Sequence, residues 1–292
     1  MHKVPTAVLV APVLAALALS CDAQQATSLL TPSAALASTS STSSTSSDKL
    51  VTSATNTTIV LVHGAWADGT GWQDVIPLLQ KEGYKVVAVQ NPLSSLANDV
   101  ETTKRLIDRE TATGHNVVAV AHSYGGAVLS GAAVGNPGVK ALVYIAALAP
   151  DAGEQAGARL QQHPTEIFSA FEPDAAGFLY LSADKYPRLF AGDLPERQAR
   201  VMWASQKPIH SAIFGQSNAA AAWRTVPSWF IVARGDRVIS PDLERFYAKR
   251  MNARTTEIAA SHVVFISRPQ QVARIILEAA GTVARQLGSV ER

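Results

Sequence analysis

The chain has 292 residues, 47% of them hydrophobic, enough for one large domain or two small ones around a sizeable core. Its formal charge is only +2, with basic and acidic residues interleaved and no polybasic run, which gives no electrostatic case for nucleic acid or anionic substrates. The seven histidines and single cysteine are scattered, with no pair at zinc-ligand spacing, so neither a metal site nor an intrachain disulfide is expected.

The first 20 residues read as an export signal: His2 and Lys3 precede an apolar stretch from Val4 to Leu19, too short for a transmembrane helix. Cys21 follows in "LALSCDA", which resembles a bacterial lipobox with Ala18 in place of the usual Leu. Lipid attachment at Cys21 and ordinary signal-peptidase cleavage nearby both stay open. Either way the chain is expected to be exported, periplasmic or secreted, touching a membrane only through such an anchor. Residues 21–54 form a Ser/Thr-rich linker, with an unbroken Ser/Thr run from Ser38 to Ser47. It has too few large apolar groups to offset the entropy of ordering, so disorder is expected. A tether of about 30 residues has an end-to-end distance on the order of 30 Å. The folded domain is expected over 55–292.

From Asn56 short β-branched apolar runs alternate with longer helical stretches. "TTIVLVHG" is a strand, "GWQDVIPLLQKEG" a helix closed by Gly83, and "YKVVAVQ" a strand. "SSLANDVETTKRLIDRE" is a helix with a Ser cap, in which Asp99 reads as exposed; "HNVVAVAHS", "YGGAVLSGAAVG" and "VKALVYIAAL" follow as strand, helix and strand. These strands are apolar without polar alternation, as when helices cover both faces of a sheet. The predicted class is α/β, a mostly parallel sheet flanked by helices. After the strand ending near residue 148 the rhythm breaks. Residues 151 to about 225 show helical stretches and no convincing strand, and read as a helical lid over the strand ends. Trp203, His210 and Phe214 in it either contact substrate or bury the lid's own apolar face, the latter being the simpler reading. "SWFIVARGD", the helix "SPDLERFYAKRM", the strand "TTEIAA" and a terminal helix from Pro269 restore the pattern.

Glycine-rich turns in such folds most often cradle phosphates, but "HGAWADGTGWQDV" fails that test. Asp74 stands where a third glycine should follow Gly69 and Gly71, and the run from Gly64 lacks a P-loop lysine. No cofactor is expected. Ala121-His122-Ser123-Tyr124-Gly125 is G-x-S-x-G with alanine first, a bend between strand and helix that projects a serine hydroxyl. A hydroxyl becomes a nucleophile only when a base takes its proton, and the base needs an acid to fix its tautomer. Asp236 follows one later strand and His262 the next, which gives the order Ser…Asp…His at strand ends. Asp242, beside Pro241, is the alternative acid, although it reads more simply as a first-turn helix residue. His63 and His122 read as turn supports, and Trp66 as either pocket wall or core.

At "LVHGAW", "AHSYGG", "ARGDRVIS" and "SHVVF" the chain resembles the α/β-hydrolase superfamily, over nearly all of Thr57 to Leu287. The likeness is greatest to the compact branch of plant salicylate-type esterases, hydroxynitrile lyases and related bacterial serine hydrolases. The resemblance implies Ser123 as nucleophile, His262 as base and then acid, Asp236 as orienting carboxylate, and an oxyanion hole from the backbone N–H groups of Ala65 and Tyr124. It implies a serine esterase acting on a small, largely apolar ester through an acyl-enzyme. A lyase or cofactor-free oxidoreductase of the same fold, and a non-catalytic ligand-binding protein, are the alternatives. In the lyases of this branch a threonine and a lysine occupy the positions of Gly64 and Val263, which favours the hydrolase. Acyl and alcohol specificity and oligomeric state are not readable from the sequence.

Overall fold

The computed structural model describes residues 56–290. The segments expected to be a signal peptide (1–20) and a linker (21–54), Cys21 included, lie outside the described residues. Strands β1 (Thr57–Val62), β2 (Lys85–Ala88), β3 (Asn116–His122), β4 (Val139–Ile145), β8 (Ser228–Ala233) and β9 (Arg254–Ile258) build one sheet. Its order is β2-β1-β3-β4-β8-β9, and every pairing in it is parallel. The four central strands are buried almost throughout, because helices cover both faces, and their Val, Ile, Leu and Ala side chains form the core.

Among the described residues, the chain enters the sheet at an interior strand. From β1 it runs outward to edge strand β2, then returns past β1 to β3 on the other side. That reversal leaves a crevice where the loops after β1 and β3 emerge side by side, with Val62 in register with Ala121.

The connecting helices are α1 (Ile76–Lys81), α2 (Leu96–Ala112), α3 (Gly125–Ala132), and, after the insertion described below, α7 (Pro241–Arg250), α8 (Val264–Ser267) and α9 (Pro269–Val290). The segment read as one helix from Gly71 divides in two. A 3-10 turn, Gly69–Trp72, is capped by Asp68, and α1 starts anew with Pro77 in its first turn, where a missing N–H costs least. Gly83, at φ +84°, ends it. Helix α2 starts at Ser95, whose side chain accepts the Asn98 N–H at 3.1 Å. Its buried face carries Asp99, Thr103 and Glu110 beside Leu96 and Ile107. Asp99 is therefore not exposed, contrary to the sequence reading; it is fully buried because it lies on the same stripe as the apolar residues.

Between β4 and β8 the insertion contains α4 (Ala156–Gln162), α5 (Tyr186–Leu189), α6 (Glu196–Ala204) and several 3-10 turns. It also contains a small antiparallel sheet in the order β5-β6-β7, formed by Phe171–Pro173, Phe178–Leu181 and Ile209–His210. The sequence predicted no strand here. Strands of three, four and two residues are too short to show a period of two. Arg250 of α7 fastens the insertion at its start, through Glu154 at 2.8 Å and the Ala149 carbonyl at 2.7 Å, while its guanidinium lies over the Trp223 ring.

Helix α3 can leave β3 at so sharp a bend only because its first residues lack side chains. A Cβ on Gly125 would stand 2.6 Å from the His63 carbonyl oxygen and 2.8 Å from that of Val62. Both obstacles are backbone of a central strand and its loop, which cannot swing aside. Gly125→Ala is expected to destabilise the fold by about 1–3 kcal/mol, read as a lower urea midpoint at unchanged slope. An unchanged midpoint would show that the bend has slack.

Candidate active site

Ser123 occupies the bend with φ +54°, a left-handed conformation that costs a non-glycine residue roughly 1–3 kcal/mol. The surroundings hold it there. The Ser123 N–H donates to the Ile145 carbonyl at 3.2 Å, and the Ser123 carbonyl accepts from Gly126 and Leu148, each at 3.0 Å. The side chain sits at the inner end of a cavity of about 180 Å³, with only 3% of the residue exposed.

Strand pairing assembles the partners. The Arg234 N–H donates to the Ile258 carbonyl and that of Gly235 to the Ala260 carbonyl, each at 2.9 Å, so the ends of β8 and β9 are zipped past the last sheet pair. Asp236 and His262 emerge from those ends. His262 Nδ1 donates to Asp236 Oδ2 at 2.5 Å, which fixes the proton on that nitrogen. Nε2 is then left to accept from the Ser123 hydroxyl at 2.8 Å. Asp236 Oδ1 is held by the N–H groups of Val238 at 2.6 Å and Ile239 at 3.0 Å. The three side chains thus stand as the sequence order suggested. Asp242 does not join them; it is exposed on α7 and pairs with Arg245 at 2.8 Å.

The two other motif histidines are structural. His63 Nε2 accepts the Asn91 N–H at 2.9 Å, so its Nδ1–H donates to the Gly64 carbonyl at 2.8 Å. Burial lowers its pKa to about 4, against the smaller raising effect of the Gly64 bond. His122 Nε2 donates to the His262 carbonyl at 2.9 Å and braces the catalytic loop from below. Burial holds His122 well below the usual imidazole range, and the adjacent His262 acts in the same direction.

Tyr124 turns its phenol away from the cavity to donate to Asp99 Oδ2 at 2.7 Å, while Asp99 Oδ1 accepts the Leu93 N–H at 2.8 Å. Burial raises the Asp99 pKa, opposed by these two hydrogen bonds. Sequence reasoning missed this anchor, although the spacing Leu96, Asp99, Thr103, Ile107 already placed Asp99 on the buried stripe. Ala65 and Tyr124 both line the cavity beside Ser123, and among the described residues neither backbone N–H is given to a carbonyl.

The insertion supplies half of the residues that line the cavity: Gly157, Leu160, Gln161, Ile167, Phe168, Phe171 and Phe214. Phe214 therefore faces the cavity rather than only the insertion's own interior. Trp66 does both things proposed for it: it lines the cavity and, through Nε1–H to the Leu179 carbonyl at 2.9 Å, struts the small sheet. Trp203 and His210 bond within the insertion. Asp193, also unforeseen, accepts from Ser261 next to the catalytic histidine, and Phe190 sets its ring edge-on 5.1 Å from His262. Among the described residues no cluster of three metal-ligating side chains occurs.

The model of the alpha/beta hydrolase family matches residues 59–275, a span that includes the bend and all three partner residues. The chain belongs to this family. A probable hydrolase of a Phoma species is 26% identical over 241 residues, covering 76% of this chain and 98% of that one. Salicylic acid-binding protein 2 of Nicotiana tabacum is 27% identical over 252 residues, covering 76% and 96%. A pyrethroid hydrolase from Sphingobium faniae shares the fold with a TM-score of 0.64 at 24% identity, covering 77% and 97%. With its triad assembled, this member of the family is a serine hydrolase acting on an ester bond.

The choice of acid is directly testable. Asp236→Asn favours the wrong imidazole tautomer and is expected to lower kcat by about a hundredfold or more, whereas Asp242→Asn leaves it within about twofold. The reverse result in steady-state ester hydrolysis would move the acid to 242.

Proposed function

We propose that the chain hydrolyses uncharged esters of small, largely apolar alcohols or acids through a covalent acyl-Ser123 intermediate. The observation that carries this reading is the Ser123–His262–Asp236 chain of hydrogen bonds opening into an aromatic and aliphatic cavity. Among the described residues, Gln161 is the one polar side chain the insertion contributes to that lining and no charged side chain lines it, so an ionised substrate would lose its hydration without a partner.

The steps follow from the geometry. Ser123 Oγ attacks the ester carbonyl as its proton passes to His262 Nε2, and Asp236 stabilises the imidazolium that forms. The carbonyl oxygen gains the negative charge of the tetrahedral intermediate, for which the Ala65 and Tyr124 N–H groups are the proposed donors. Collapse breaks the bond to the alkoxy group, which leaves as the alcohol after taking the proton from His262. Water then attacks the acyl-serine with His262 again as base, and the acid leaves with Ser123 restored. The Asp99–Tyr124 bond supports this scheme by holding the residue that carries one of the two donors.

Gly64 supports hydrolysis over cyanohydrin cleavage. A Cβ there would lie 2.6 Å from Ser123 Cβ and 3.1 Å from its Oγ, directly against the attacking atom. Val263, after the catalytic histidine, is buried and brings no cation to hold a departing cyanide.

Ser123→Ala is expected to abolish turnover of p-nitrophenyl esters and labelling by a fluorophosphonate probe while the protein stays folded, with wild type showing a burst of p-nitrophenol. Labelling that persists in the variant, or rapid cyanide release from mandelonitrile without ester turnover, would overturn the reading.

We further propose that the chain is exported and that Cys21 carries a lipid, on the strength of the apolar N-terminal stretch and the lipobox-like "LALSC". Metabolic labelling with a fatty-acid analogue should mark the wild type and not Cys21→Ser. Equal labelling of the two would exclude the anchor.

A further inference from the structure

Behind the triad lies a second carboxyl group that the reaction scheme above does not use. Glu244, in the first turn of α7, is fully buried. Its Oε2 accepts the Ala233 N–H at 2.9 Å, at the end of the strand that delivers Asp236. Its Oε1 is buried with no N–H or hydroxyl donor among the described residues, and the charge of the adjacent Asp236 carboxylate acts on it. Two carboxyl groups can share a hydrogen bond only if a proton lies between them.

We propose that Glu244 is a positioning residue: a neutral carboxylic acid that donates its proton to the Asp236 carboxylate and so fixes that carboxylate for His262. Asp236 then has all its acceptor directions committed, to the Val238 and Ile239 N–H groups, to His262 Nδ1 and to Glu244. Its orientation is set from four sides rather than three.

The surroundings favour the protonated form of Glu244. Complete burial penalises its charge first, and the negative Asp236 adds to that penalty; both raise its pKa well above the carboxylate range. The opposing influences are smaller: the Ala233 N–H on the β8 side and Arg245 on its own helix. The Arg245 guanidinium is already engaged by Asp242 at 2.8 Å and by Glu257 of β9 at 2.8 Å. On the far side of Asp236 stands His262. Were Glu244 ionised, two buried negative charges would stand side by side, and the imidazolium would be over-stabilised.

The inference rests on the serine-hydrolase reading, and three variants separate the two. Glu244→Gln keeps a donor toward Asp236 and an acceptor for the Ala233 N–H. It is expected to retain kcat within about threefold and the acid limb of the kcat/KM profile unmoved. Glu244→Leu or Glu244→Met removes the donor, leaving Asp236 loosely held and more basic toward its histidine. Kcat should fall roughly ten- to a hundredfold at unchanged KM, and the acid limb should move to higher pH. Infrared difference spectra between wild type and Glu244→Gln at neutral pH should show a protonated-carboxyl stretch that shifts in D2O and vanishes in the variant. The spectrum needs no turnover, so it tests Glu244 even if the leucine and methionine variants fail to fold. Absence of that band, or a glutamine variant as impaired as the leucine one, would overturn the proposal and leave the hydrolase reading standing. Wild-type protein that shows the band but hydrolyses no ester would do the opposite.

Discussion

A serine held at φ +54° must be gripped by everything around it, because its own backbone prefers to relax. Here the grip comes from the pairing of β1 with β3, which brings two loops into contact at the point where strand order reverses. Gly125 lies against the backbone of one loop and Gly64 against Ser123 itself, so small residues at those positions are conditions of the geometry. Once β1 and β3 are in register, the hydroxyl, both candidate oxyanion donors and the start of α3 are placed together. Later strands need only deliver a base and an acid to a fixed point. The zipping of β8 to β9 beyond their last sheet pair does that.

The insertion contributes more than a cover. Asp193 bonds to Ser261, and Phe190 packs its edge on the His262 ring, so the segment that walls the cavity also touches the loop carrying the base. Substrate shape and histidine position are therefore set by one piece of chain. A bulky group pressing on Phe171 is transmitted through Trp66, which contacts both Phe171 and Phe190. This continuity ties recognition of the apolar moiety to alignment of the imidazole by ordinary packing.

Much of this was legible in the sequence, and the reason is local. The bend and the acid each sit just past the end of an apolar strand, and the base follows the short edge strand β9, so reading the strands also reads the triad. Both burial and turn chemistry act there within a few residues. What was not legible depends on contacts distant along the chain. Asp99 looked like a solvent-facing helical residue because its partner, the Tyr124 phenol, is 25 positions away. Glu244 carries no local signal in "SPDLERFYAKRM", and only the position of β8 places it behind Asp236. The small antiparallel sheet is made of strands too short to carry a period, and its third strand joins by a distant pairing, Phe178 with His210 and Leu179 with Ile209. Phe214 faces the cavity for the same kind of reason: the path of the insertion, which no local pattern specifies, decides it.

The electrostatics of the centre follow from what is excluded from it. His63 and His122 stand close to the reacting atoms, and burial keeps both neutral, so neither adds a positive charge that would deter protonation of His262. Hydrogen bonds to backbone groups fix the tautomer of each: both His63 ring nitrogens are engaged, and His122 gives its Nε2–H to the His262 carbonyl. Tyr144, buried under the bend, keeps its proton for the same reason, its phenol pushed well above its ordinary range by desolvation. Around Ser123 there is then one imidazole backed by a carboxylate, in a site dry enough that the pair acts at short range without screening. Polar groups are numerous in this core, but burial and fixed hydrogen bonds leave His262 alone placed to take the proton from Ser123.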